Sequence, residues 1–307
     1  PVSRLTEMLE NPNGVFQYNG KKYKYPKINL IWWAGGNPFH HHQDLNRLCA
    51  AWRKPDTIIV NEWCWNSLAK HADIVLPCTI PLERNDVMLS PRDPYVVKMC
   101  KVIEPPRECK DDFEIFKNIS KHFEIEAAFT EGKDEDDWIK WIYDSSKKSA
   151  SRSGIHFPEY SELVEKGWFR IAKPKIDKVM LEDFRMDPHR HPLNTPSGKI
   201  EIFSESIAKF KLSTCAGHPK WFEPLEWLGV AEPDDLHLIS NQPKNKLHSQ
   251  LYHGSVSQAD LINGFEPVFI NPADARWRGI IDGNVVKLSN QRGSCLASAV
   301  ISDDVME

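Results

Sequence analysis

A chain of 307 residues, 41% hydrophobic and 27% charged, carries enough apolar material for a large core and for two domains. Its formal net charge of −4 gives no electrostatic reason for a nucleic-acid partner or an anionic membrane, and no apolar run approaches the roughly 20 residues of a membrane span. The seven cysteines, at positions 49, 64, 78, 100, 109, 215 and 295, form no C-x-x-C pair, so free thiols are expected rather than a zinc site or a disulfide framework. The chain starts at Pro1 and stops after 300–307 without an obvious terminal element. It is therefore read as a piece of a longer protein, and the lack of a signal peptide says nothing about export.

In chain order, a short amphipathic helix is expected over residues 4–9. Asn13-Gly14 and Asn19-Gly20 then mark turns, and Asn-Gly between β-like runs predicts a hairpin pairing 15–18 with 22–25. The stretch 29–44, NLIWWAGGNPFHHHQD, is the one around which the neighbouring strands and helices are organised. Its apolar run 30–34 has the length and composition of a strand buried on both faces. Gly35-Gly36-Asn37-Pro38 breaks it, and a helix over 45–53 comes next. A second β-branched run, 57–60, ends on Asn61-Glu62, and a helix over 65–71 leads to a third buried strand at 73–77. Three strands separated by helical segments predict a βαβα pattern on a parallel sheet, and open α/β sheets take their ligands at the carboxyl ends of the strands.

Residues 83–94 are expected to form a charged, proline-rich loop and 95–102 a strand. Helical periodicity covers 111–123 and 134–146, the latter with an acidic start suited to the helix dipole. Several prolines make 147–195 an irregular connecting segment. Thr195-Pro196-Ser197-Gly198 is a turn, and 199–203 alternates as a half-buried strand should. From 237 the texture changes to short β runs, 237–240, 268–270, 284–289 and 295–301, with turns at Asp282-Gly283 and Arg292-Gly293. The fold class expected is α/β: a parallel-sheet nucleotide-binding domain over 1–230, with 147–200 as its irregular connector, followed by a small, truncated β-barrel domain over 231–307.

The histidine run His40-His41-His42 invites a metal site, but three adjacent side chains in a turn diverge and no H-E-x-x-H pattern accompanies them. An anion or base contact at the helix start suits them better. The Gly-Gly-Asn-Pro turn is not G-x-G-x-x-G and does not specify a nicotinamide cofactor. Asn61-Glu62 stands where the second β-α loop of a nucleotide-binding sheet offers an acid to a ribose, with a helix cap as the alternative. Arg84, in Glu83-Arg84-Asn85-Asp86, suits a bidentate phosphate clamp or an ion pair with its own neighbours. Residues 240–250 are dense in donors and acceptors (Asn241, Gln242, Asn245, His248, Ser249, Gln250), which fits a heteroaromatic ligand or a solvated loop. No nucleophile elbow, P-loop or triad is present. The residues by themselves point to a nucleotide-like ligand.

Longer stretches add to this. WWAGGNPFHHHQDLNR, TIIVNEWCWNSLAKHADIVLPCTIPLERND, TPSGKIEIFSESIAKF, KNKLHSQL and NPADARWRGIIDGNVVKLSNQRG occur in this order. Together they resemble the molybdopterin oxidoreductases, most nearly the dimethyl sulfoxide, trimethylamine N-oxide and biotin sulfoxide reductases. The resemblance implies a bis(molybdopterin guanine dinucleotide) cofactor with molybdenum and two-electron oxygen-atom transfer from a small-molecule N-oxide or S-oxide, the metal and pterin carrying the chemistry. Position by position it implies cofactor contacts from Asn37 and His41, guanosine-end contacts from Asn61 and Glu62, and further contacts from Arg84 and Asp112. It also implies pterin-lining segments at Ser240, Asn241, Gln242 and Pro243 and at His248, Ser249 and Gln250. It puts no catalytic residue and no metal ligand in this chain, because the branch's serine ligand to molybdenum belongs to an N-terminal half outside it. That half and an electron-donor protein, such as a c-type cytochrome, are the expected partners, and the chain alone is expected to be inactive. A periplasmic location is expected ahead of a cytoplasmic one. Two alternatives stay open: a formate dehydrogenase or nitrate reductase type of the same superfamily, and a non-catalytic nucleotide-binding module.

Overall fold

The computed structural model describes the chain apart from Pro1, Pro91, residues 173–178 and Ser249. Its contacts divide it into two units. One comprises Pro1–Leu30, Gly36–Asp56 and Trp221–Glu307; the other comprises Ile31–Gly35 and Thr57–Lys220.

The first unit begins with a 3-10 turn, Val2–Arg4, and α1 (Leu5–Glu10). β1 (Val15–Tyr18) and β2 (Lys21–Lys24) pair antiparallel, with Tyr18 opposite Lys21. The connecting Asn19 and Gly20 both have positive φ, 47° and 73°, the left-handed pair that a two-residue hairpin turn requires. The expected second strand, 22–25, slides by one residue. Tyr25 leaves the ladder because its backbone bonds Gly14 and Asn13 instead, each at 2.9 Å.

β3 (Leu30–Ala34) leads through the double-glycine turn to α2 (Pro38–His41) and α3 (Leu45–Ala51). In the second unit, β4 (Thr57–Glu62) and β5 (Ile74–Pro77) run parallel, from Ile59 opposite Ile74 to Glu62 opposite Pro77. The strand order is β3-β4-β5, so β4 is central, and it alone is well buried: Ile58 is 5% exposed and Val60 0%. The expectation that 30–34 and 73–77 are buried strands is corrected. They are the edges of a three-stranded sheet, with Leu30 53% and Ile74 45% exposed. The helix expected over 65–71 shrinks to one 3-10 turn, Ala69–His71. Asn66 caps the backbone of Ala69 at 3.0 Å, and Ala72 is already extended, which leaves room for a single turn.

β6 (Asp86–Met88), β7 (Tyr95–Met99) and β8 (Trp168–Arg170) form an antiparallel sheet in that order. α4 (Asp112–His122) is capped by Asp111, α5 (Glu126–Thr130) follows, and α6 (Glu135–Ser151) starts in a capping box between Asp134 and Asp137. α7 (Tyr160–Lys166) ends on Gly167 at φ 77°. The core here joins Val96, Tyr143, Phe157 and Leu163. Two expectations fail. The loop 83–94 contains β6, because its alternation is only three residues long and needs β7 to be seen. The segment 147–200, read as irregular, holds the end of α6, then α7, β8 and α8 (Glu182–Met186). α7 has barely two turns, too few to print a period. The expected strand 199–203 does not form: Ile200, Ile202 and Phe203 are exposed, and alternation without a partner strand builds no ladder. α9 (Glu205–Ala208) comes after it.

Near the C-terminus, within the first unit, lie α10 (Ser255–Gln258), β9 (Pro267–Ile270), α11 (Pro272–Trp277), β10 (Val285–Asn290) and β11 (Gly293–Ile301). β10 and β11 are an antiparallel hairpin around Gln291-Arg292, and β11 pairs parallel with β9. Ile270, Ala275 and Ala299 form its core. This three-stranded sheet stays open, and no sheet closes into a barrel among the described residues. The run 237–240 is exposed and not a strand. The architecture is mixed α/β with several small sheets. Among the described residues, no helix is long and apolar enough to cross a membrane.

Candidate functional site

In the first unit the candidates gather around α2. Gly35 and Gly36 both have left-handed backbones, φ 77° and 74°, which turn the chain out of β3. Asn37, 5% exposed, caps α2: its Oδ1 accepts from the Phe39 N–H at 2.9 Å and its Nδ2 lies 3.2 Å from His40 Nε2. His41 is exposed, and its ring lies 5.3 Å from that of His42 and 6.3 Å from that of His248. The turn and the distant 240–250 segment therefore meet through His41 and His248. His42 Nε2 is buried without a hydrogen-bond partner among the described residues. Burial, and then the neighbouring His41, lower its pKa from the ordinary 6.5, so the ring is neutral at neutral pH. Among the described residues, no group of three or more His, Cys, Asp or Glu could hold a metal ion.

Ser240, Asn241, Gln242 and Pro243 lie on exposed chain without regular structure. The Gln242 amide donates to the Lys246 carbonyl. Asn245 donates to Asp260 at 2.6 Å, and Gln250 donates its N–H to the Leu247 carbonyl at 3.2 Å. His248 takes φ 53° and Leu251 φ 52°, two left-handed residues that bend the segment sharply. Ser249 lies outside the described residues.

The second unit assembles the other candidates at the carboxyl ends of β4 and β5. Asn61, 5% exposed, accepts from Trp32 Nε1 at 2.9 Å and donates to Asp112 Oδ1 at 2.7 Å. Asn61 and Asp112, 51 residues apart in sequence, thus form one unit. Glu62 accepts from the Trp63 N–H at 3.0 Å and from Asn66 Nδ2 at 2.6 Å, so its carboxylate organises the loop after β4. Arg84 donates to the Thr79 carbonyl at 3.0 Å and stands 3.7 Å from Asp86. Thr79 is 7% exposed, and its Oγ1 has no partner among the described residues. Cys78 sits amid these groups. Burial first, then Asp112, Glu62 and Cys109, push its thiol up to about 12 against the opposing pull of Arg84. It is therefore protonated and no nucleophile at neutral pH.

Sequence reasoning missed Trp32, Asn66, Cys78 and Thr79. The last two come directly after β5, and their place at a strand's carboxyl end was the available signal. The partnership of Trp32 with Asn61 spans 29 positions and leaves no trace in local spacing.

Asn61, Asp112 and Arg84 thus gather at the carboxyl end of a parallel strand pair, the edge at which open α/β sheets take their ligands. Residues 2–122 match the model of the molybdopterin oxidoreductase family and residues 236–307 that of the molybdopterin dinucleotide binding domain. The chain belongs to the molybdopterin oxidoreductases. It is 45% identical to a biotin sulfoxide reductase of Cereibacter sphaeroides over 99% of the chain and 41% of that protein. It is 42% identical to a dimethyl sulfoxide/trimethylamine N-oxide reductase of the same organism, over 100% of the chain and 38% of the relative. It is 40% identical to a trimethylamine-N-oxide reductase of Haemophilus influenzae, again over 100% and 38%. The chain thus spans about two fifths of the length of these relatives. The structure is also similar to acetylene hydratase from Pelobacter acetylenicus, with a TM-score of 0.61, 17% identity, and 91% of this chain and 36% of that one covered. At that identity the likeness concerns the fold alone.

Proposed function

We propose that this chain is part of a molybdenum-dependent reductase of S- or N-oxides and supplies contacts to a bis(molybdopterin guanine dinucleotide) cofactor. The observation that carries this is the whole-chain identity of 40–45% to biotin sulfoxide, dimethyl sulfoxide and trimethylamine N-oxide reductases. The site chemistry fits such a ligand. Two buried polar atoms beside the candidate residues, His42 Nε2 and Thr79 Oγ1, one in each unit, have no partner among the described residues, and a heteroatom-rich ligand would satisfy them. In this reading Asn61, Glu62, Arg84 and Asp112 receive the guanosine end: the carboxylates accept from ring and ribose donors, and the guanidinium faces phosphate. Asn37 holds α2 so that His41 meets the ligand, while Ser240–Pro243 and 248–250 line the pterin. The bound cofactor supplies two-electron oxygen-atom transfer; the chain's own residues bind and orient it.

On this view 1–230 is the α/β cofactor-binding region. Residues 231–307 are a dinucleotide-binding domain whose open three-stranded sheet is part of a barrel. The metal ligand lies in an N-terminal half of the same protein, electrons come from a donor protein such as a c-type cytochrome, and the enzyme works in the periplasm. The test uses the complete gene product that contains this chain. Stoichiometric molybdenum is expected, together with oxidation of reduced benzyl viologen on adding trimethylamine N-oxide, dimethyl sulfoxide or biotin sulfoxide. A metal-free protein, inert toward all of these, would overturn the proposal.

A further inference from the structure

From residue 218 to 244 every residue is exposed, and most of 245–254 is exposed too. Lys246 stands out among them, with a side chain only 7% exposed. Its ammonium pairs with Glu266, the residue before β9, and lies 4.9 Å from the centre of the Tyr252 ring. Its carbonyl accepts from Gln242, and the adjacent Asn245 bonds Asp260 at 2.6 Å. These bonds tie 242–246 to 252–266 in a stretch with almost no apolar burial of its own. Taking an ammonium out of water is costly, and an apolar side chain of similar shape would fill the same space more cheaply. A directional ion pair fixes where the chain runs, which an apolar contact does far less well.

We propose that Lys246 is a positioning residue. Its ion pair with Glu266 and its contact with Tyr252 hold the 240–250 segment in place, so that His248 stands beside His41 before any ligand arrives. The proposal rests on the reading of 240–250 as a cofactor-contacting segment for its functional meaning, but not for its physical content. The segment is thereby pre-organised, which lowers the ordering cost of binding.

The test is backbone hydrogen exchange on the intact protein, prepared without cofactor from a pterin-deficient host and again in loaded form. Lys246→Met keeps the volume and removes the charge, Glu266→Gln removes the partner, and Lys246→Arg keeps the pair. In the cofactor-free protein the first two variants should each speed exchange at 240–250 by at least tenfold while β10 and β11 exchange as in the wild type. Lys246→Arg should restore protection. Should Lys246→Met fail to fold, shown by loss of protection in β10 and β11, Glu266→Gln carries the same comparison. Wild-type exchange rates at 240–250 in Glu266→Gln, or in a folded Lys246→Met, overturn the proposal. In the loaded protein, faster cofactor loss from the loosened variants supports the pterin-lining reading as well. A loosened segment with unchanged cofactor loss upholds Lys246 as the peg and overturns that reading instead.

Discussion

Asn61 shows how a buried amide can tie distant parts of a chain together. Its carbonyl takes the Trp32 indole N–H and its amide donates to Asp112, so truncation strands a donor on one side and a carboxylate on the other. Asn61→Leu should cost about 2–4 kcal/mol of stability in urea unfolding, since stranded partners lose their hydrogen bonds without regaining water. The same variant should lose cofactor from the full-length protein. His42 gives a pH signature. Its folded pKa lies below the ordinary 6.5, because burial and His41 disfavour the charge. The folded state therefore binds fewer protons than the unfolded one, and the stability that a neutral His42 allows is present above pH 6.5 and lost as pH falls through the folded value. Melting temperatures measured from pH 7.5 down to 5 should fall, and His42→Leu should flatten that slope; an unchanged slope would refute the assignment. At this scale the sequence drew attention to Asn37 and Asn61 by their place after or at the end of a strand, and to His41 by its place in the histidine run that closes α2. It could not reveal that Asn37 is spent on a helix cap, or that the Thr79 hydroxyl has no partner among the described residues, because both depend on what surrounds the residue in space.

Helices with a full stripe and a capping acid were legible at the scale of elements. α4 and α6 start after Asp111 and Asp134, as the acidic openings of their periodic stretches indicate. What escaped was short or dependent on a partner: α7, β6 and β8. Yet α7 supplies Leu163, 1% exposed, to the core with Val96, Tyr143 and Phe157, and Tyr143 ties its hydroxyl to the Pro158 carbonyl at 2.9 Å. A segment that reads as a connector is thus half of a hydrophobic core. Leu163→Ala should destabilise the second unit by about 2–5 kcal/mol through the cavity it leaves. Asp134→Ala, which removes only a cap, should cost about 1 kcal/mol. Chemical denaturation followed by tryptophan fluorescence would rank the two; equal costs would mean that α7 is not part of that core. All three strands of the parallel sheet were legible as strands, but burial was expected of β3 and β5 as well, and these are exposed edges. An apolar run states what a strand can bury, while its place in the sheet decides what it does bury.

At the scale of the molecule, surface is the governing quantity. The chain exposes 22972 Å², against about 13,000 Å² expected for a folded monomer of this mass from the usual area scaling. Large apolar side chains account for part of the excess: Leu225 is 98% exposed, Ile202 84%, Ile239 79% and Trp221 76%. A solvated loop would not carry leucine, isoleucine and tryptophan at such density, whereas a segment that packs against further protein would. The relatives are more than twice as long as this chain, which is in keeping with such a partner surface. None of this was legible from composition, because 41% hydrophobic content is ordinary and says nothing about which residues find a neighbour. Which pieces of the discontinuous first unit meet is likewise set by contacts between distant residues, and no local period encodes it. The physical consequence is testable. Expressed alone, the 307-residue chain should self-associate in a concentration-dependent way and bind a hydrophobic-surface dye, because water-exposed apolar area drives association. Replacing Leu225 and Ile239 together by aspartate should weaken both effects without lowering the unfolding midpoint, since neither side chain is packed in the folded chain. Sedimentation velocity over a range of concentrations decides it. A wild-type chain that stays monomeric at high concentration would show that this apolar surface needs no cover.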